Sequence, residues 1–99
     1  MKTTLFIASR SPWKAGEVKA IAKLASPDDA LIFIQEAVYH AVSVPEDVEA
    51  SMQLLRDKNV SIYFLEPDLI ARGLQKPENS VDYDGFLDLI EKYQNTFHW

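Results

Sequence analysis

The chain has 99 residues, of which 47% are hydrophobic and 25% charged, and these proportions are typical of a single globular domain over residues 1–99. The formal net charge of −5 opposes the attraction to phosphate that dominates nucleic-acid affinity, so direct binding to RNA or DNA is disfavoured. No segment approaches the ~20 consecutive apolar residues of a membrane span and no cysteine is present, so we expect a cytoplasmic protein without membrane contact or disulfides.

The first half of the chain alternates apolar runs typical of buried strands with segments whose apolar residues recur at helical spacing. The predicted elements are, in order, a strand over residues 3–8, a helix over 14–25, a strand over 30–35, a short helix over 36–41 and a longer helix over 45–59. Pro45 and the two acidic residues after it are typical of a first helical turn.

The second half continues the same alternation. A third apolar strand is predicted over residues 60–65, a short helix follows over 67–71 and ends at Gly73, and a last helix covers 84–93. In the last helix we expect an apolar stripe of Phe86, Leu87, Ile90 and Tyr93 to face the core. Residues 79–81 and 96–99 are each predicted to add a short edge strand.

Together these elements predict an α/β fold. Continuous apolar strands such as 30–35 and 60–65 have to be covered on both faces, which favours a mainly parallel sheet of four to five strands between two layers of helices. The strands over 3–8, 30–35 and 60–65 should be adjacent and central. In such a sheet, ligands and partners meet the loops at the carboxyl ends of the strands.

Those loops hold most of the candidate site residues. The first loop offers Ser9, Arg10, Ser11 and Trp13 beside a helix start, which would suit a small anion. It lacks the glycines that let a phosphate approach the backbone, so packing of the loop with Trp13 as an anchor is the favoured interpretation. The second loop contributes Gln35, Glu36 and Tyr39, and the third contributes Asp68.

Catalytic and metal-binding patterns are weak. His40 and His98 have no paired-histidine spacing and are expected at the surface or partly packed, so no metal and no cofactor are predicted. Asp82, Asp84 and Asp88 could suggest calcium, but a helix cap at Asp82 or Asp84 and a solvated Asp88 are simpler. A hydrolase with Ser9 or Ser11 as its nucleophile would lack the usual strand-to-helix turn motif.

The segment over residues 66–74 follows directly from a buried strand. Pro67 opens a two-turn helix, Gly73 closes it, and Leu69, Ile70 and Leu74 are expected to pack inward. Arg72 is then either a surface ion-pair partner of Glu66 or Asp68, or an interface residue.

Five pieces of the chain, in order, resemble the DsrH/TusB family of the DsrEFH superfamily. They are Ser11-Pro12-Trp13 after the first strand, the strand over 30–35 running into Glu36-Ala37-Val38-Tyr39, the strand end Phe64-Leu65-Glu66-Pro67-Asp68, the turn Ala71-Arg72-Gly73-Leu74, and Val81-Asp82-Tyr83-Asp84-Gly85-Phe86 with a terminal Trp99. The pieces span nearly the whole chain. The resemblance implies a flavodoxin-like (DsrEFH-like) three-layer sandwich.

The resemblance also implies a function. Proteins of this kind are subunits of a heterohexameric sulfur-relay complex, with DsrE/TusD-like and DsrF/TusC-like sister subunits, which serves tRNA wobble-uridine 2-thiolation or sulfur oxidation. The persulfide-carrying cysteine belongs to the DsrE/TusD-like sister, and some members of the present family have a cysteine on the first helix, where this chain has Ile21. Only a thiolate accepts a persulfide, so a cysteine-free chain would be a non-catalytic scaffold.

A second hypothesis stays open because this chain lacks cysteine. It could be a homo-oligomer or a small-ligand-binding protein of the same fold outside a thiolation complex. In either case, aromatic side chains beyond what the core can hide are candidates for an interface. The candidate interface or strand-end residues are Ser9, Ser11, Trp13, Gln35, Glu36, Tyr39, Asp68, Arg72, Tyr83 and Trp99.

Overall fold

The structure is a computed structural model, and it describes residues 3–13 and 16–98. The strands in these ranges are β1 (Thr4–Ala8), β2 (Ala30–Phe33), β3 (Ser61–Leu65), β4 (Ser80–Val81) and β5 (Asn95–His98). The helices are α1 (Glu17–Leu24), α2 (Glu46–Asp57), α3 (Glu66–Ala71) and α4 (Tyr83–Lys92), and a 3₁₀ helix covers Gln35–Ala41. None of the helices in the described ranges is long and apolar enough to cross a membrane.

The strands form one five-stranded sheet in the order β4-β3-β2-β1-β5, and every pair is parallel. The register places Ile7, Ile32 and Tyr63 side by side across the three central strands. The predicted central position of the three apolar strands is therefore confirmed. Parallel strands need crossover connections, and the helices between them supply these connections.

Side chains alternate between two core clusters, one on each face of the sheet. Phe6 and Phe33 point to the face that α1, α2, the 3₁₀ helix and α3 cover, whereas Leu5 and Ile32 point to the face that α4 covers. The α/β class and the helices on both faces are as predicted, and the architecture is compatible with a flavodoxin-like three-layer sandwich. Among the described residues, one face carries four helical segments and the other carries only α4.

Strand β2 ends two residues earlier than predicted. Ile34 is still extended, but Gln35 has a φ of 51°, in the left-handed region, and starts the 3₁₀ helix. A residue in this region turns the chain out of the strand direction, so the ladder cannot continue through Gln35. The predicted short helix over residues 36–41 is present, in the tighter 3₁₀ form.

The prediction for the inner face of α4 was wrong in part. Phe86 and Tyr93 pack against the sheet as expected, but the third core-facing residue is Leu89, which is 8% exposed. Leu87 and Ile90 are 57% and 37% exposed and lie outside the core cluster beneath this helix. Both sets have helical spacing, and the pattern alone did not show which of them the sheet would cover.

Candidate partner-docking site at the carboxyl ends of the strands

Five predicted site residues meet at the carboxyl edge of the sheet, where the loops after β1 and β2 lie side by side. Two adjoining open depressions there share some of their lining residues. A depression of about 350 Å³ is lined by Ser11, Trp13, Glu36, Tyr39, Val42 and Ser43. A second one, of about 310 Å³, is lined by Ser9, Arg10, Ser11 and Glu36. The parallel arrangement brings these loops together because all their strands end at this edge.

A network of polar contacts fixes the loop after β2 to the helix after β3. The Oδ2 atom of Asp68 accepts a hydrogen bond of 2.7 Å from the backbone N–H of Gln35. Arg72 donates from Nη2 and Nε to Oε1 of Glu36, at 2.9 and 3.2 Å, and from Nη1 to the backbone oxygen of Asp68 at 3.1 Å. These contacts hold the left-handed Gln35 in place and orient the acidic wall of both depressions.

The partner of Arg72 was predicted only in part. Asp68 is one of the two predicted partners, and its Oδ1 atom lies 3.8 Å from Nη1 of Arg72. The other predicted partner, Glu66, pairs instead with Lys76, with 3.6 Å between Oε1 and Nζ. The stronger partner of Arg72 is Glu36, which is 36 positions away in sequence and becomes a neighbour only when β2 and β3 pair. Ile70 on the same helix was expected to pack inward but is 60% exposed, because Leu69 occupies the core-facing position.

Trp13 does not pack as an anchor, as the sequence interpretation had it. Its side chain is 63% exposed. Its backbone N–H donates a hydrogen bond to the hydroxyl of Ser11 in a local turn, and Pro12 between them is buried. Val42, which is 62% exposed, lines the same depression. An exposed tryptophan beside an exposed aliphatic side chain is typical of a protein–protein contact. Val42 had no sequence signal, because it lies outside any periodic pattern.

An anion site on the first loop is opposed by Glu17, the first residue of α1. This side chain is only 3% exposed, and Nε of Arg10 lies 3.5 Å from its Oε1 atom. Burial raises the pKa of Glu17, and the charges of Arg10 and His98 act against that increase. A carboxyl group therefore already lies beside the guanidinium and the helix start that an anion would use.

His40 was expected at the surface or partly packed, and this prediction was wrong. The ring is 7% exposed and lies stacked on Phe33, with ring centroids 4.1 Å apart. Its Nδ1 atom lies 2.7 Å from the backbone oxygen of Ala37, and burial lowers the pKa of His40 to about 4. The neutral imidazole donates this bond, so His40 belongs to the core beneath the strand-end edge.

The remaining predicted residues lie apart from the two depressions. Tyr83 is the first residue of α4, on the opposite face of the sheet, and is 58% exposed. Asp82 caps this helix by accepting a hydrogen bond from the backbone N–H of Gly85, as one of the predicted choices had it. Trp99 lies outside the described residues. Within the ranges 3–13 and 16–98, no three His, Asp or Glu side chains form a group that could hold a metal ion.

The sequence is similar to known proteins over nearly its whole length. Residues 10–96 match the DsrH family, described as "DsrH like protein". A protein named "Protein TusB" from Yersinia enterocolitica is 33% identical over 99 residues, which cover 96% of this chain and 99% of the relative. Proteins of the same name from Yersinia pestis (strain Pestoides F) and Yersinia pseudotuberculosis (serotype O:1b) are each 31% identical with the same coverage. With a match of this extent, the chain belongs to the DsrH family.

Proposed function

We propose that this protein is a non-catalytic scaffold subunit of a TusBCD/DsrEFH-type sulfur-relay complex. In that complex a DsrE/TusD-like sister subunit carries the persulfide, and the relay leads toward 2-thiolation of the tRNA wobble uridine in the cytoplasm. The observation that carries the proposal is the absence of cysteine from all 99 residues of a chain in the DsrH family. A relay carrier needs a thiolate at each transfer, so this chain can position a carrier but cannot be one.

The fold supports the scaffold role at Ile21. By the family resemblance, this residue corresponds to the position where some members have a cysteine. In this chain it is fully buried between α1 and the sheet. An aliphatic side chain there contributes to the core and leaves no opening to a persulfide donor. Ile21 is part of the packing of the core.

The first test is the composition of the native complex. We expect a tagged copy of this chain, co-expressed with its DsrE/TusD-like and DsrF/TusC-like sister subunits, to purify with both of them as an assembly of one mass. Native mass spectrometry would report the chains present. If the chain purified alone, with a mass that is a multiple of its own 11.3 kDa, the alternative of a homo-oligomer outside a thiolation complex would be favoured instead.

A second test concerns sulfur transfer. We expect the isolated chain, incubated with a cysteine desulfurase and labelled cysteine, to keep its unmodified intact mass. The variant Ile21→Cys should also stay unmodified while folded, because a thiol at this buried position is screened from the donor. The variant Lys23→Cys, at an exposed position on the same helix, is the matched control and should gain sulfur or react with a thiol reagent. Equal reactivity of the two cysteines in the native protein would contradict the buried placement.

A third test addresses the strand-end surface, where we propose that a relay partner docks against Trp13. Trp13→Ala is expected to change the free energy of unfolding by no more than about 0.5 kcal/mol, because the ring is mostly exposed. Removal of a central interface aromatic costs about 2 kcal/mol or more, so the dissociation constant for the partner should increase about 30-fold. Calorimetric titration measures this, and an unchanged affinity would remove Trp13 from the docking surface.

A further inference from the structure

The outer face of α4 carries a stripe of large apolar side chains that the fold leaves uncovered. Tyr83, Leu87 and Ile90 lie at i, i+4 and i+7 and are 58%, 57% and 37% exposed. Residues at this spacing line one side of a helix over about 10 Å. A different side of the same helix, with Phe86, Leu89 and Tyr93, packs against the sheet, so the exposed stripe is an additional apolar face.

The surroundings of α4 enlarge this surface. A five-stranded sheet is about 20 Å wide, whereas one helix covers about 10 Å, and α4 is the one helix on its face within the described ranges. Tyr63 on β3 and Val81 on β4 are accordingly only partly buried beside α4. The other face carries four helical segments in the described ranges, and there the apolar side chains of the central strands β1, β2 and β3 are buried, although Phe97 on the edge strand β5 is 49% exposed. The apolar stripe therefore lies on the face where a side chain of a central strand, Tyr63, is only partly buried.

The exposed charges on α4 are mostly acidic. Asp84, Asp88 and Glu91 are exposed on α4, and Lys92 is the one basic residue of this helix. The ion pairs among the described residues involve none of these three carboxylates. Two copies of this face brought together about a twofold axis would set acid against acid. A surface with Lys or Arg around an apolar patch would instead complement it.

From these observations we propose that the outer face of α4, with Tyr83, Leu87 and Ile90 at its centre, docks a different protein that presents an apolar patch flanked by Lys and Arg. This inference rests on the proposed function, because the occupant would be one of the sister subunits. It identifies α4 as the surface through which the scaffold binds that subunit. The face does not bind a second copy of this chain.

The experiment measures the affinity of the purified chain for its sister subunits by sedimentation or calorimetry. Leu87→Ser should increase the dissociation constant at least 10-fold, and its matched control is Leu54→Ser, a leucine of 45% exposure on α2 that should have no effect. Asp88→Lys should weaken binding and reduce its dependence on salt, whereas Asp57→Lys on α2 should do neither. Both α4 variants replace exposed residues, so the free energy of unfolding should stay near that of the parent.

Each outcome decides between the two proposals. If the sister subunits bind but the α4 variants bind as tightly as their controls, the docking face is wrong and the scaffold function stands. If the parent chain binds no sister subunit, both proposals fall. If the isolated chain self-associates and Leu87→Ser makes it monomeric, the occupant of α4 is a second copy and the inference is overturned.

Discussion

Replacing Phe33 by alanine is expected to lower the free energy of unfolding by about 3–5 kcal/mol. Phe33 is fully buried at the end of β2, where its ring contacts His40 at 4.1 Å and Phe64 at 5.3 Å between centroids. Truncation removes these contacts and leaves a cavity in the larger of the two cores. A domain of this size has about 5–15 kcal/mol of stability in all, so the variant should be close to its folding limit.

Urea titration measures this loss, and thermal unfolding should show a decrease in Tm of about 12–40 °C, since each kcal/mol shifts a domain of this size by about 4–8 °C. Ile70→Ala is the control because this side chain is 60% exposed, and its effect should stay within about 0.5 kcal/mol. A loss below about 1 kcal/mol for Phe33→Ala would show that this side chain is not enclosed as described.

Acidification is expected to destabilise the protein through His40. The pKa of this side chain is about 4 in the folded state and near 6.5 when unfolded, so between these values the unfolded chain binds more protons. The stability that the neutral ring contributes is complete above about pH 6.5 and falls as the pH decreases toward about 4. The loss over this window is about 3 kcal/mol, because one pKa unit corresponds to about 1.4 kcal/mol.

The variant His40→Phe keeps an aromatic ring against Phe33 without a titrating group, so comparison with the parent isolates the contribution of His40. The difference in unfolding free energy between the two proteins should change by about 3 kcal/mol from pH 7 to pH 4. Glu17 acts in the opposite sense, since its raised pKa favours the folded state as the pH falls, and this contribution cancels in the comparison. Parallel pH profiles for the two proteins would contradict the burial of a neutral imidazole.

The sequence predicts features that depend on local patterns and misses those that depend on which elements become neighbours. The three central strands were recognisable because each is a continuous apolar run, and a parallel sheet buries such runs on both faces. The end of β2 was predicted wrongly. Ile34 and Gln35 fit the sequence pattern of the strand, but the backbone of Gln35 is in the left-handed region and cannot continue it. The backbone N–H of Gln35 donates a hydrogen bond to Asp68 on α3, 33 positions away, and this bond supports that conformation.

In the candidate site, too, some features follow from local pattern and others depend on contacts between distant segments. The loops after β1 and β2 line the two depressions together, because strand direction alone brings them to one edge. The pairing of Arg72 with Glu36, the exposure of Trp13 and the burial of His40 depend on side-chain packing between distant segments. On α4 the apolar residues exceed what one buried face can hold, so no periodicity analysis could assign Leu87 and Ile90 to the outside.

The pairing of β1 with β5 has a consequence for how this fold is acquired. Thr4 lies opposite Asn95, 91 positions further along the chain, and this is the longest loop closed by any ladder of the sheet. The entropy of closing a loop increases with its length, so this ladder is the least favoured one to form first. Strands β1, β2 and β3 can associate earlier, and until β5 arrives one edge of β1 presents unpaired backbone groups. During synthesis, that edge stays available to other chains until residue 98 has been added and β5 can dock.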